Sequence, residues 1–235
     1  MPPVAVFRFS RSEGAGRFGD WLTAQGRPWR LVALDEGEPV PEDPEAYAGI
    51  GMMGGPMGAN DPTPWRDPLA VLLRSAVDAR VPVIGHCLGG QILSRALGGT
   101  VTKADVVEIG WIDVEATDRR AASEWFGGRE RMNVFEWHYD AFTIPPGARR
   151  VLANAYNANQ AYVLDDRHVG FQCHVEMTRE LVTTWCAMAP GELPETSTPE
   201  RQSRDEILRD LDARVAALNV LADGIYARWA RGLRH

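Results

Sequence analysis

The run Val83-Ile84-Gly85-His86-Cys87-Leu88-Gly89-Gly90-Gln91 decides the reading of this chain. An apolar, strand-like stretch from Val81 to Ile84 enters a cysteine that has glycines two residues before and two residues after it. A helix-like stretch, Gln91 to Leu97, follows. A sharp strand-to-helix turn that holds a nucleophile in a strained backbone conformation needs this pattern, because only small neighbours fit there. The turn also sets the sulfur at a helix N-terminus, where the dipole and free N–H groups favour negative charge. The plainer alternative is a buried thiol after a central strand, since cysteine packs well in cores. The paired glycines favour the nucleophile.

Working outward, strand and helix alternate through the first half. Val4 to Phe9, Trp29 to Leu34, Ile50 to Met53 and Val81 to Gly85 read as strands. Phe18 to Gln25 and Trp65 to Ala79 read as helices, the second from apolar residues at 69, 72, 73, 76 and 77. This alternation predicts an α/β fold with a doubly wound, mostly parallel sheet flanked by helices. Ligand sites in such sheets lie at the carboxyl ends of the strands, where Gly54-Gly55-Pro56 and Cys87 both fall. From Val101 to Ala116 the pattern turns β-rich, and 134–137, 150–155, 161–164 and 168–173 are further short strands, so a small antiparallel element is expected. Thr178 to Met188 reads as a helix and 189–199, with three prolines, as a linker. Residues 201–231 carry apolar residues at 3-to-4 spacing over one long amphipathic helix. That tail either packs back on the domain or serves as a dimer or partner contact.

A second segment bears on Cys87. Val169-Gly170-Phe171-Gln172-Cys173-His174-Val175-Glu176 reads as a strand ending in a histidine, with a carboxylate two residues later. Strand alternation puts His174 and Glu176 on the same side and turns Cys173 away. A cysteine nucleophile needs a base to take its proton, and the base needs a third group to fix its tautomer. A solvent-facing strand end is the bland reading of this pair. With the Cys87 turn it becomes a Cys, His, Glu order. Cys173 and Cys186 read as core thiols, and His168 and His235 as surface residues.

These motifs resemble those of the class I glutamine amidotransferases. Gly85-His86-Cys87-Leu88-Gly89-Gly90-Gln91 is similar to their G-x-C-x-G-x-Q nucleophile motif, and Phe171 to Glu176 to their F-Q-x-H-P-E motif. Gly54-Gly55-Pro56 is similar to their G-G-P loop. Trp137-His138-Tyr139-Asp140 matches a W-H-x-D sequence in stand-alone proteins that are similar to the amidotransferase domain of GMP synthase. Val175 stands where proline is usual, and His86 and Gly90 depart from common residues, which is expected to alter the floor of the site.

The resemblance covers residues 1–190 as one flavodoxin-like domain and leaves 191–235 as linker and C-terminal helical extension. It implies hydrolysis of the γ-amide of glutamine. Cys87 would attack, His174 would move the proton, Glu176 would hold the imidazole, and a γ-glutamyl thioester would release glutamate and ammonia. The N–H groups of Gly55 and Leu88 would form the oxyanion hole, and Gln91, Gly54 and His138 would contact the substrate. For Gln91 a helix-surface amide is the alternative, and for His138 a polar residue after a strand.

Composition bounds the rest. The chain has 235 residues, a formal charge of −7 and 45% hydrophobic residues, which suits one globular domain with some extra structure and argues against a nucleic-acid partner. Three cysteines without a spaced framework suggest a reducing compartment. No run reaches membrane-span length and the start does not read as a signal peptide, so a cytoplasmic location is expected, with no membrane contact. No metal or cofactor is expected, because zinc-site, P-loop and dinucleotide spacings are missing. Three functions compete. One is an amidotransferase passing ammonia to a separate synthetase, and another is a stand-alone hydrolase of γ-glutamyl peptides or amines. The third is a non-catalytic binding module. A synthetase or a second copy of the chain is the expected macromolecular partner.

Overall fold

The structure is a computed structural model that describes residues 1–234. The first strand, β1 (Val4–Arg8), shows how the sheet is buried. Val4 and Val6 belong to the core on one face, and Ala5 and Phe7 to the core on the other. A strand buried on both faces needs an apolar run rather than strict alternation, and Val4-Ala5-Val6-Phe7 supplies one. Helix α1 (Gly16–Ala24) returns the chain to β2 (Trp29–Ala33), and β3 (Gly49–Met52) follows. In β3 glycine alternates with Ile50 and Met52. A Cβ at Gly51 would lie 2.3 Å from the Phe18 ring, and one at Gly49 would lie 3.0 Å from the Trp229 ring. The two bare positions let aromatic rings from α1 and from the C-terminal helix press directly on the sheet.

Helix α2 (Arg66–Asp78), strand β4 (Val83–His86) and helix α3 (Leu88–Ala96) complete the parallel half. The chain then forms β5 (Val101–Ala116), α4 (Arg119–Trp125), β6 (Arg131–Phe142), β7 (Arg149–Ala153), β8 (Ala161–Leu164) and β9 (His168–Phe171). Among the described residues nine strands make one sheet in the order β2-β1-β3-β4-β9-β8-β7-β5-β6. Neighbours from β2 to β9 pair in parallel and the remainder antiparallel. The antiparallel part is an extension of the same sheet, dominated by the long β5–β6 hairpin.

Helices α5 (Arg179–Met188), α6 (Arg204–Leu208) and α7 (Leu211–Trp229) end the chain. The single helix expected over 201–231 is broken. Asp210 takes a left-handed conformation with φ 52°, a geometry that the apolar spacing, continuous through Leu208 and Leu211, does not reveal. Val215, Leu218, Ile225 and Trp229 of α7 join the same core as Phe18 and Trp21 of α1. No helix of the described residues is long and apolar enough to cross a membrane.

Candidate active site

Cys87 sits between β4 and α3 with φ 47° and ψ −107°, a conformation strained for any residue with a side chain. Its surroundings impose that turn. A Cβ at Gly85 would lie 2.4 Å from the Gly89 backbone, and one at Gly90 would lie 2.3 Å from the Phe171 carbonyl oxygen. The helix therefore lies directly against the strand it leaves and against β9. Gly89 N–H donates to the Met53 carbonyl at 3.1 Å, tying the turn to the loop after β3. Leu88 heads α3, where first-turn amides have no partner within the helix.

His174 arrives from the adjacent strand. β9 ends at Phe171, but His174 N–H still donates to the Phe135 carbonyl of β6 at 2.8 Å. His174 and Glu176 are thus brought together in a turn beyond the strand, not by strand alternation. Alternation does hold for the preceding residues. The Gln172 amide donates to Cys87 Sγ at 3.7 Å, while Cys173 is packed in the core. His174 Nδ1 and Glu176 Oε1 are 2.7 Å apart. A carboxylate can only accept there, so Nδ1 carries the proton and Nε2 is left for Cys87. Burial alone would lower the His174 pKa. The charges of Glu176 and of the Cys87 sulfur outweigh it and hold the imidazole well above its ordinary value. Burial pulls the Glu176 carboxyl upward, and His174 and His86 more than offset this, leaving it below the usual range.

A cavity of about 770 Å³ opens over this pair, at the carboxyl ends of the parallel strands. Cys87, His174, Gly55, Gln91 and His138 line it. Glu176 lies behind His174, and Gly54 lies under the imidazole, where a Cβ would sit 2.9 Å from His174 Cε1. The amides and rings expected to meet substrate are engaged internally. Gln91 Nε2 donates to the Asp140 carbonyl at 3.0 Å, and His138 Nδ1 donates to the same oxygen at 3.0 Å. His138 Nε2 faces Glu108 Oε2 at 3.0 Å.

Two expectations are corrected. His86 and Gly90 do not form the floor of the site. His86 Nδ1 donates to the Met52 carbonyl at 3.0 Å, and its Nε2 lies 3.3 Å from the Tyr226 hydroxyl on the α7 side of the sheet. Gly90 fills the seam between α3 and β9. His168 is not a surface residue: it is 1% exposed, on a strand covered by neighbours on both edges. Burial, with Arg167 and Arg80 nearby, pushes its pKa down to about 4. His235 lies outside the described residues.

Sequence reasoning also missed several residues. Glu13, in the loop after β1, lines the cavity, and the rule that strand carboxyl ends carry sites points to that loop. Tyr139 and Trp137 hold Glu192 at the rim through hydrogen bonds of 2.7 and 2.8 Å. Lys103 at the rim pairs with Asp140 at 2.7 Å. Behind the wall, Glu108 and Glu136 are fully buried. Burial and then Glu108 raise the Glu136 carboxyl well above its ordinary range.

The family model for glutamine amidotransferase class-I matches residues 26–183. A crystal structure of a glutamine amido transferase from Methylobacillus flagellatus superposes with a TM-score of 0.97 at 48% identity, covering 100% of this chain and 96% of that one. The glutamine amidotransferase-like protein YfeJ of Salmonella typhimurium is 31% identical over 179 residues, 72% of this chain and 74% of its own. Gamma-glutamyl peptidase 2 of Arabidopsis thaliana is 26% identical over 170 residues, 70% of this chain and 66% of its own. The glutamine-hydrolyzing GMP synthase subunit of Sulfurisphaera tokodaii is 40% identical over 98 residues, and that match spans about half of its length (51%) and 41% of this chain.

Proposed function

The chain belongs to the class-I glutamine amidotransferase family, and from that premise we propose that it hydrolyses γ-glutamyl amides through Cys87. The observation that carries this reading is the strained Cys87 facing a cavity beside His174, whose Nδ1 is held by Glu176 at 2.7 Å. Cys87 gives its proton to His174 Nε2, and the thiolate sulfur attacks the side-chain carbonyl carbon. Negative charge builds on the carbonyl oxygen, which the N–H groups of Leu88 and Gly55 receive. One such donor is worth about 3 kcal/mol at the transition state. As the tetrahedral centre collapses, the C–N bond breaks and His174 returns the proton to the departing nitrogen. A γ-glutamyl thioester remains on Cys87. Water, deprotonated by His174, cleaves it to glutamate and free thiol.

Glutamine is the simplest such substrate, and its ammonia then passes to a separate synthetase, in keeping with the likeness to the Sulfurisphaera tokodaii GMP synthase subunit. A second reading, a stand-alone hydrolase of γ-glutamyl peptides or amines, is favoured by a cavity roomier than glutamine needs. The similarity to gamma-glutamyl peptidase 2 also favours it. The experiment measures glutamate and amine release by the purified chain from glutamine and from γ-glutamyl peptides, beside Cys87→Ala. Release that Cys87→Ala abolishes is expected, and the preferred substrate separates the two readings. Release that persists in Cys87→Ala refutes the mechanism.

A further inference from the structure

The cavity is acidic where it has room to spare. Its wall carries the carboxyl groups of Glu13, Asp61, Asp140 and Glu192. Among the described residues, Lys103 is its one lysine or arginine, and Lys103 is already paired with Asp140. Asp61 accepts from Gly58 N–H at 2.8 Å, and Glu192 accepts from Trp137 and Tyr139. Glu13 differs from these. The charged groups that act on it are His174 and Glu176, and burial is the largest influence, raising its pKa to about 7. His174 is the one cation acting on this carboxyl, and its attraction does not offset the burial.

Its place in the site is specific. A Cβ at Gly54 would touch both the Glu13 carboxyl oxygen, at 2.1 Å, and His174 Cε1, at 2.9 Å, so the carboxyl and the imidazole share the space above that bare glycine. His174 is the group that protonates the departing nitrogen. Glu13 is therefore beside the leaving group. Trp185 stacks edge-on against His174 at 4.8 Å, and its Nε1–H donates to the Ser12 carbonyl at 2.8 Å, which fixes the loop carrying Glu13. Trp137, Trp185 and Met188 supply apolar and aromatic surface along the same wall. Aromatic faces beside a carboxylate suit an alkylammonium, whose methylenes pack while its charge meets both ring and anion.

We propose that the site selects γ-glutamyl amides whose leaving amine carries a second, positively charged nitrogen on an aliphatic chain, with Glu13 receiving that ammonium. The substrate class is thus a γ-glutamyl diamine or polyamine. The inference rests on the γ-glutamyl hydrolysis proposed above and adds the chemistry of the leaving group. Bond changes are those already given: the C–N bond to the diamine breaks, His174 protonates that nitrogen, and the distal ammonium takes no part in the step.

The test uses the full chain with glutamine and three γ-glutamyl amides of matched length, in which the leaving group is 1,4-diaminobutane, butylamine or 4-aminobutyrate. The cationic amide should exceed the neutral one at least tenfold in kcat/KM, with the anionic one lowest. In Glu13→Gln the cationic-to-neutral ratio should fall close to one. Equal rates across the three amides, or a neutral or anionic preference, overturn the proposal and leave γ-glutamyl hydrolysis standing. So does a Glu13→Gln variant that slows every substrate by the same factor, because Glu13 then acts only on His174. Failure to cleave any of the four substrates, glutamine included, removes the hydrolysis reading and the proposal with it.

Discussion

His174 Nδ1 lies 2.7 Å from Glu176 Oε1, and the two side chains are 1% and 3% exposed. At that burial water does not compete for this hydrogen bond, so the carboxylate keeps a proton on Nδ1. Glu176→Gln keeps the shape and removes the charge. Its amide can donate to Nδ1 and turn the imidazole to the tautomer that cannot accept the Cys87 proton. The expected result is a fall in kcat of about 10²- to 10⁴-fold with KM little changed. Steady-state kinetics on the preferred γ-glutamyl amide check this, and a fall of less than tenfold would show that Glu176 does not orient the ring.

Gly90 tests the seam that holds Cys87 against the strand leading to His174. An alanine Cβ there would lie 2.3 Å from the Phe171 carbonyl and 3.0 Å from its nitrogen. Backbone cannot swing aside as a side chain does, so α3 must move off β9. The Tyr162 hydroxyl, which donates to the Gly90 carbonyl at 2.9 Å, must follow. Overpacking of this kind costs about 1–3 kcal/mol, and in a chain of this size each kcal/mol lowers Tm by about 2–4 °C. Thermal unfolding of Gly90→Ala followed by circular dichroism gives the answer. An unchanged Tm would mean that the seam is looser than these distances indicate.

His168 makes stability depend on pH. Its folded pKa, about 4, lies below the ordinary value of 6.5, so between those values the unfolded chain binds a proton that the folded chain does not. Stability is complete above pH 6.5 and is lost as pH falls toward 4. The loss between pH 7 and pH 5 is about 2 kcal/mol from this group alone. Urea unfolding at the two pH values, in wild type and His168→Gln, isolates it. The variant should lose less stability than wild type over that interval, and parallel losses would reject the assignment.

The parallel half was legible because each strand there is an apolar run closed by a turn or a glycine. The positions of Cys87 and of Gly54-Gly55 at strand carboxyl ends follow from that order. What stayed hidden depends on contacts between distant segments. His168 opens a strand and looks solvent-facing, yet β9 lies between β4 and β8 and is covered on every side. Glu13 stands in Ser10-Arg11-Ser12-Glu13-Gly14, a stretch with the composition of a surface loop, and only the sheet order brings that loop over His174. Glu108 and Glu136 look like exposed charges of a hairpin. They are buried because the β5–β6 hairpin turns this face toward Asn154 and Gln160, which donate to Glu108, while His138 faces Glu108 across the hairpin. The break at Asp210 escapes any reading of apolar spacing, since a left-handed residue leaves the flanking pattern intact.

Lys103 is the chain's one lysine, and its side chain is 82% exposed at the rim of the cavity. An amine-directed fluorophore attached under conditions that spare the α-amino group therefore lands at a single address beside the cavity mouth. The protein carries its own labelling point for watching ligands enter and leave, with no engineered residue needed.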